Sequence, residues 1–207
     1  LARGKMSRER VLDAALVLAD EVGVAGLSMR KLGAALGVEA MTIYYYVPNK
    51  DAVLDGLVER VMTGTFTVDP QAGWRALLRD FATSFRNELR RHPGVLQLVA
   101  TRPVATPGAL RTLEAAVAVL REAGFGLRES FHVLNTVAMF TTGHCLAEVD
   151  PPGVEPGAAP ELDSEEFPNV AAAIADGLGT PADHQARFDL ALDALTEGFA
   201  SIKAPRA

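Results

Sequence analysis

MRKLGAALGVEAMTIYYYVP, residues 29–48, is the stretch whose reading decides the fold. Two short helices that cross closely need a small residue inside the first and a glycine in the connecting turn, and Gly33 and Gly37 meet both needs. Ser28 can cap the first helix, which then runs from Met29 to about Leu36 and closes at Gly37. The second runs from about Ala40 to Tyr45. Leu32, Leu36, Val38 and Ile43 fall where the two helices must pack on each other and on a preceding helix. That leaves Ala40, Met41, Thr42, Tyr44 and Tyr45 facing outward, a spacing suited to a major groove. Ala40 and Met41 can touch a thymine methyl and Thr42 a base edge. Tyr45, Tyr46 and Lys50 suit phosphate contacts that fix the register, and Ser28 and Arg30 can add more. The plain alternative is a helical hairpin with three half-buried tyrosines; Gly33, Gly37 and Lys50 on a basic segment weigh against it.

Working outward, Val11, Ala15, Leu18 and Val22 recur at helical spacing and Gly23 stops that helix. Pro48 breaks the chain and Asn49 caps a fourth helix from Lys50 to about Thr63. Asp69-Pro70 opens a longer helix through Trp74, Leu77, Phe81, Phe85 and Leu89, ended by His92-Pro93-Gly94. A short apolar stretch at 95–100 leads to Thr101-Arg102-Pro103, and Thr106-Pro107 starts a helix that ends at Gly124. From Leu127 to about Val149 the pattern is apolar nearly all round, so several neighbours must cover it. Residues 150–169, rich in Pro, Gly and acids, read as a mobile loop. A last helix over about 182–203 carries Phe188, Leu192, Leu195, Phe199 and Ile202 in one stripe. The expected fold is all-α: a three-helix head over 1–50, a linking helix over 50–65, and a larger helical body over 66–207.

Charge supports that division. The net charge is −6, but residues 1–50 carry seven Lys or Arg against five acids, leaving −8 on the other 157 residues. A basic head on an acidic body fits a DNA reader with a separate regulatory domain. Apolar runs are too short to span a bilayer and no secretion signal opens the sequence, so no membrane partner and a cytoplasmic location are expected. The one cysteine, Cys145, excludes an intrachain disulfide and reads as a buried apolar residue. No catalytic triad, phosphate loop or carboxylate pair stands out, which argues against an enzyme. His144 and Glu148 stand four residues apart, but two ligands make a poor metal site, so neither metal nor cofactor is expected. His92 reads as a helix end; His132 and His184 show no pattern.

The segment GLSMRKLGAALGVEAMTIYYYVPNKDAVLDGL strongly resembles the DNA-binding head of the TetR family of regulators. The likeness continues into the body through SFRNELRRHPGVLQLVATRP, TLEAAVAVLREAGF and MFTTGHCLAEVD, which are similar to the tetracycline-binding branch of that family. It covers roughly residues 7–150. The resemblance implies a homodimer holding a double-stranded DNA operator, with a small-molecule effector bound in the body. By motif, Arg30, Ala40, Met41, Thr42, Tyr44, Tyr45, Tyr46 and Lys50 match DNA-contacting positions. Phe85, Thr101, Arg102, Pro103, Phe131, Leu134 and Asn135 match positions lining or flanking the drug pocket, and Phe81, Leu98, Leu113, Val117, Ala138 and Thr142 complete the expected ligand-contacting set. Arg102 has a rival reading as a cap on helix carbonyls beside Pro103. Thr141 and Glu148 are further candidate polar points.

Departures from the branch's pattern redirect the effector. Leu98 stands where the branch has a metal-binding histidine, Phe81 where it has an asparagine, and about Ala116 where it has a glutamine. Ala147 replaces an acid near the metal chelate, although Glu148 stands beside it. A hard cation needs several oxygen ligands, so magnesium–tetracycline is not expected as the inducer and a largely apolar, polycyclic molecule suits the site better. Ala40 and Met41 replace a glutamine and a proline, so a different operator is expected. The expected function is a repressor released from a palindromic operator by its effector. The alternatives are a ligand-independent or activating regulator of the same fold, or a small-molecule carrier.

Overall fold

A computed structural model describes residues 5–64, 66–149 and 162–203, and among these residues there are ten α-helices, one 3-10 turn and no strand. The head consists of α1 (Arg8–Gly26), α2 (Met29–Leu36) and α3 (Ala40–Ile43). Then follow α4 (Lys50–Thr63), α5 (Gly73–Arg91), the 3-10 turn Pro93–Val95 and α6 (Leu96–Thr101). α7 (Pro107–Glu122), α8 (Leu127–Glu148), α9 (Pro168–Ala175) and α10 (Pro181–Ala200) complete the body. No helix of the described residues is long and apolar enough to cross a membrane.

Local chemistry sets the head's boundaries. The Ser28 hydroxyl accepts from the Lys31 N–H at 3.2 Å, and Gly37 closes α2 in the left-handed region at φ +69°. A Cβ on Gly33 would lie 2.8 Å from the Val38 carbonyl oxygen and 3.1 Å from the Ala40 nitrogen, so the α2–α3 crossing admits only glycine without adjustment. Leu32 and Ile43 are fully buried, and Leu36 and Val38 pack partly buried against the same core. Asn49 caps α4 by accepting from Ala52 N–H at 2.8 Å. Gly23 takes φ +70° as expected, yet it kinks α1 rather than ending it, since the helix resumes as far as Gly26. Val22 is left exposed there.

Three expectations along the chain are revised. Asp69-Pro70 forms a turn, with the Asp69 carboxylate accepting from Gln71 N–H at 2.8 Å, and α5 begins only at Gly73. Of the loop expected at 150–169, residues 150–161 lie outside the described residues, as does residue 65 of the linking segment; residues 163–166 form a turn and α9 begins at Pro168. The final helix spans Pro181–Ala200.

In the body, α8 packs against α5, α6, α7 and α10. Val133, Val137, Thr141 and Cys145 form its buried side, while Leu127, Phe131, Met139, Leu146 and Val149 stay exposed. Head and body form one continuous apolar core running from Val11 to Leu192. α4 bridges them, touching α1 on one side and α5, α6 and α7 on the other.

A second seam joins head to body. The 3-10 turn lies directly on α1: a Cβ on Gly94 would collide with the Ala19 carbonyl. Asp20 fastens it, one carboxylate oxygen accepting from Gly94 N–H at 3.0 Å and the other 2.8 Å from His92 Nδ1.

Candidate functional site

The residues expected to read DNA stand mainly on α3 and the turn that follows it. Ile43 is the inward anchor of α3, and Val47, fully buried, pins the far end of the turn through its N–H on the Ile43 carbonyl at 3.0 Å. Between these anchors the outward side chains are displayed: Met41 is 71% exposed and Tyr45 87% exposed. Tyr44 and Arg30 are also exposed, while Ala40, Thr42 and Lys50 are half-buried. The tyrosine triplet therefore splits. Tyr44 and Tyr45 face solvent, and Tyr46 packs partly against the core. Ser28 spends its lone pair on the cap of α2 and keeps its hydroxyl proton to donate. Lys50 opens α4, next to its capped N-terminus.

Within the body a cavity of about 280 Å³ opens among α4, α5, α7 and α8. Of the expected ligand set, Phe81, Leu113, Phe131, Leu134, Asn135 and Ala138 line it. An adjoining cavity shares Met62, Val104, Asn135 and Ala138 with the first, and its walls include Phe85, Thr101, Arg102, Pro103 and Thr142. Phe81 stacks on Phe85 at a ring-centroid distance of 5.6 Å with the planes 6° apart, and Phe66 tilts onto Phe81 at 5.4 Å. Flat aromatic faces thus form one wall. The polar points are few: Thr63, Thr112, His132 and Asn135. Thr101 and Thr142 donate their hydroxyl protons to carbonyls of their own helices, Gln97 and Ala138.

Leu98 and Val117 are buried in the core and line neither cavity. Beside Val117 on α7, it is Ala116, one residue earlier, that lines the first cavity, together with Ala109, Thr112 and Leu113. Thr141 is fully buried and likewise lines neither. Glu148 points away from both, towards Arg86, which donates to it through Nε at 3.1 Å and again through a terminal nitrogen. Sequence reasoning missed Met62, Thr63, Phe66, Val104, Thr112 and His132. Of these, Met62 and Thr63 lie in the last turn of α4, where helical spacing from the core residues Val58 and Val61 could have pointed inward.

Arg102 caps no helix. Its Nε donates to Asp55 at 2.6 Å and a terminal nitrogen reaches the Asp51 carboxylate and carbonyl at 3.2 Å, tying the end of α6 to α4. The Asp55 hydrogen bond leads in holding this guanidinium above its ordinary pKa, against the cost of its partial burial.

Two family models match the chain. The model described as bacterial regulatory proteins, tetR family, matches residues 11–57, and that described as tetracyclin repressor-like, C-terminal domain, matches residues 67–202. The chain belongs to the TetR family. This TetR-family chain is 37% identical over 148 residues to the class D tetracycline repressor protein of Escherichia coli, a match covering 70% of the chain and 67% of that relative. It is 28% identical to the HTH-type transcriptional repressor DrrR1 of Streptomyces coeruleorubidus, covering 97% of the chain and 80% of the relative. Among solved structures, the Q116A TetR of Acinetobacter baumannii in complex with minocycline superposes with a TM-score of 0.69 at 26% identity, covering 98% of the chain and 97% of its own. As a TetR-family protein the chain is a transcriptional regulator with a helix-turn-helix head and an all-α body.

Proposed function

We propose that this regulator is a repressor that grips a palindromic operator as a homodimer and releases it when a largely apolar, polycyclic effector fills the body cavity. The observation that carries the reading is the composition of the cavity wall. Met62 and Thr63, at the C-terminal end of α4, line the cavity, while the N-terminal end of the same helix carries Lys50 beside the reading surface. A ligand that displaces α4 at one end moves the head at the other. Arg102 adds a second hold on α4 through Asp51 and Asp55. Ser28, Arg30, Ala40, Met41, Thr42, Tyr44, Tyr45, Tyr46 and Lys50 are the proposed DNA-contacting set. The effector shifts the balance only by binding the DNA-incompetent arrangement more tightly.

Dimerisation is supported by the apolar surface that a single chain leaves open. Met139 and Leu146 on α8, Val149 just after it, Val170 and Ile174 on α9, and Leu190 on α10 are all exposed. Exposed apolar residues in such number suit an interface, and a second copy would cover them. Two heads then meet successive major grooves about one DNA turn apart. The minocycline complex of a relative shows that this fold accommodates a polycyclic drug. Here the lining is mainly apolar and includes Phe66, Phe81 and Phe131, and Leu98 offers no metal ligand at the position where the tetracycline-binding branch has a histidine. A chelate-free effector follows.

The test starts with operator selection from random duplex DNA, followed by titration of candidate polycyclic compounds into the complex. The expected result is a palindromic site, a loss of affinity of tenfold or more in Tyr45→Ala with its melting temperature unchanged, and release of DNA by at least one compound. Selection of no preferred site, or unchanged affinity in Tyr45→Ala, overturns the assignment.

A further inference from the structure

The C-terminal end of α8 and the first turn of α10 bring together the one group of three potential metal-ligating side chains found among the described residues: His144, Glu148 and His184. One ligand atom from each lies within 4.8 Å of the others. His144 and Glu148 share a face of α8 at four-residue spacing, and His184 arrives from across the helix–helix contact. His144 Nε2 sits 2.9 Å from the Glu148 carboxylate and 3.0 Å from the His184 carbonyl, so two oxygens converge on the point where that nitrogen holds its proton. This is a place built for a small positive charge. It lies apart from the effector cavities, neither of which these three residues line.

We infer that His144, Glu148 and His184 bind one borderline transition-metal dication per chain, of the zinc, cobalt and nickel class. Two imidazoles and one carboxylate are the donors such ions favour, and three protein ligands leave a fourth position for water. Magnesium and calcium, which require an oxygen shell, do not fit. On binding, Nε2 gives up its proton to solvent and Nδ1 takes one from solvent, so the ring stays neutral and offers the metal its Nε2 lone pair.

Three guanidiniums face the cluster, and each has somewhere else to go; Arg90, 3.5 Å from the Glu148 carboxylate, is half exposed and can turn to solvent. Arg86, paired with Glu148, also donates to Gln185 and lies 4.6 Å from the centre of the Phe188 ring. Arg187, against His184 Nδ1, also pairs with Asp183 at 3.2 Å. The bound ion would staple α8 to α10, the two helices whose exposed apolar residues form the proposed dimer face.

The test uses tag-free, EDTA-dialysed full chain. Zinc chloride at about one hundred times its dissociation constant should raise the melting temperature by about 5 °C or more. Calorimetric titration should give one ion per chain, and magnesium chloride should leave the midpoint unmoved. His184→Ala should lose at least tenfold in zinc affinity; its ring makes no backbone contact and the His144 bond to the 184 carbonyl survives. Independently of any variant, cobalt(II) should give the visible absorption of a low-coordinate site, bleached by equimolar zinc. Absence of that absorption, an equal shift with magnesium, or full zinc affinity in His184→Ala overturns the inference.

Discussion

Replacing Arg86 by methionine tests the buried ion pair that joins α5 to α8. Arg86 and Glu148 are both nearly excluded from solvent, at 5% and 9% side-chain exposure. Methionine keeps much of the aliphatic stem while deleting the charge that faces the carboxylate, and it gives up the guanidinium's place over the Phe188 ring. Removing one partner of a buried pair costs about 3–5 kcal/mol, because the other charge is stranded. Here the lower end applies: His144 Nε2 remains 2.9 Å from Glu148, and Arg90, half exposed, remains at 3.5 Å. A loss of about 3 kcal/mol lowers the melting temperature of a domain this size by about 6–12 °C. The assay is thermal or urea unfolding at one fixed protein concentration, since association would make the midpoint depend on concentration. The companion is Arg86→Met with Glu148→Leu. With no stranded carboxylate, the double variant should recover most of the loss, as buried pairs replaced by packed apolar groups usually do. A single variant costing less than about 1 kcal/mol, or a double variant as unstable as the single, would refute the claim that stranding drives the effect.

Gly33→Ala should destabilise the head by a net ~1 kcal/mol despite alanine's better helix propensity, because overpacking at the α2–α3 crossing outweighs that gain; a melting curve at or above wild type sinks this. The His144 ring takes its proton less readily folded than unfolded, so its contribution is complete above pH 6.5 and is lost as acid protonates the unfolded chain first, between 6.5 and the lower folded-state value. The stability difference between wild type and His144→Gln should therefore narrow as pH falls through 6.5, and a difference constant with pH contradicts it. Burial pushes the Cys145 thiol up to about 12, so native protein at pH 8 should resist thiol reagents that label the urea-unfolded chain at once.

What could be read from the chain followed the range of the interactions. Ser28, Gly37 and Asn49 set helix ends through bonds to atoms within a few residues: α2 begins and ends, and α4 begins, where those residues place them. Asp69-Pro70 misled because the same carboxylate that could cap a helix instead closes a two-residue turn, and Gly73 at φ +79° redirects the chain before α5 starts. α9 gave no signal: it buries none of its own residues, so no stripe distinguishes it from the acidic, proline-rich stretch before it. In the cavity, Phe81, Leu113, Asn135 and Ala138 were found, whereas Val117, one position after the lining residue Ala116, is turned into the core. The hold of Arg102 on α4 was not legible because Asp55, its partner, lies 47 residues upstream. Likewise only the folded chain brings His184 to His144, 40 residues away.

The seam between Gly94 and α1 limits how this protein could be re-engineered. Exchanging reading heads between relatives suggests a cut near residue 50, yet Asp20 is bonded to His92 and Gly94 of the body, and Gly94 admits no side chain against Ala19. A transplanted head therefore arrives without its footing unless residues 92–95 travel with it. The functional module is discontinuous in sequence, and a chimera drawn along the primary structure alone would sever the joint through which its two halves talk.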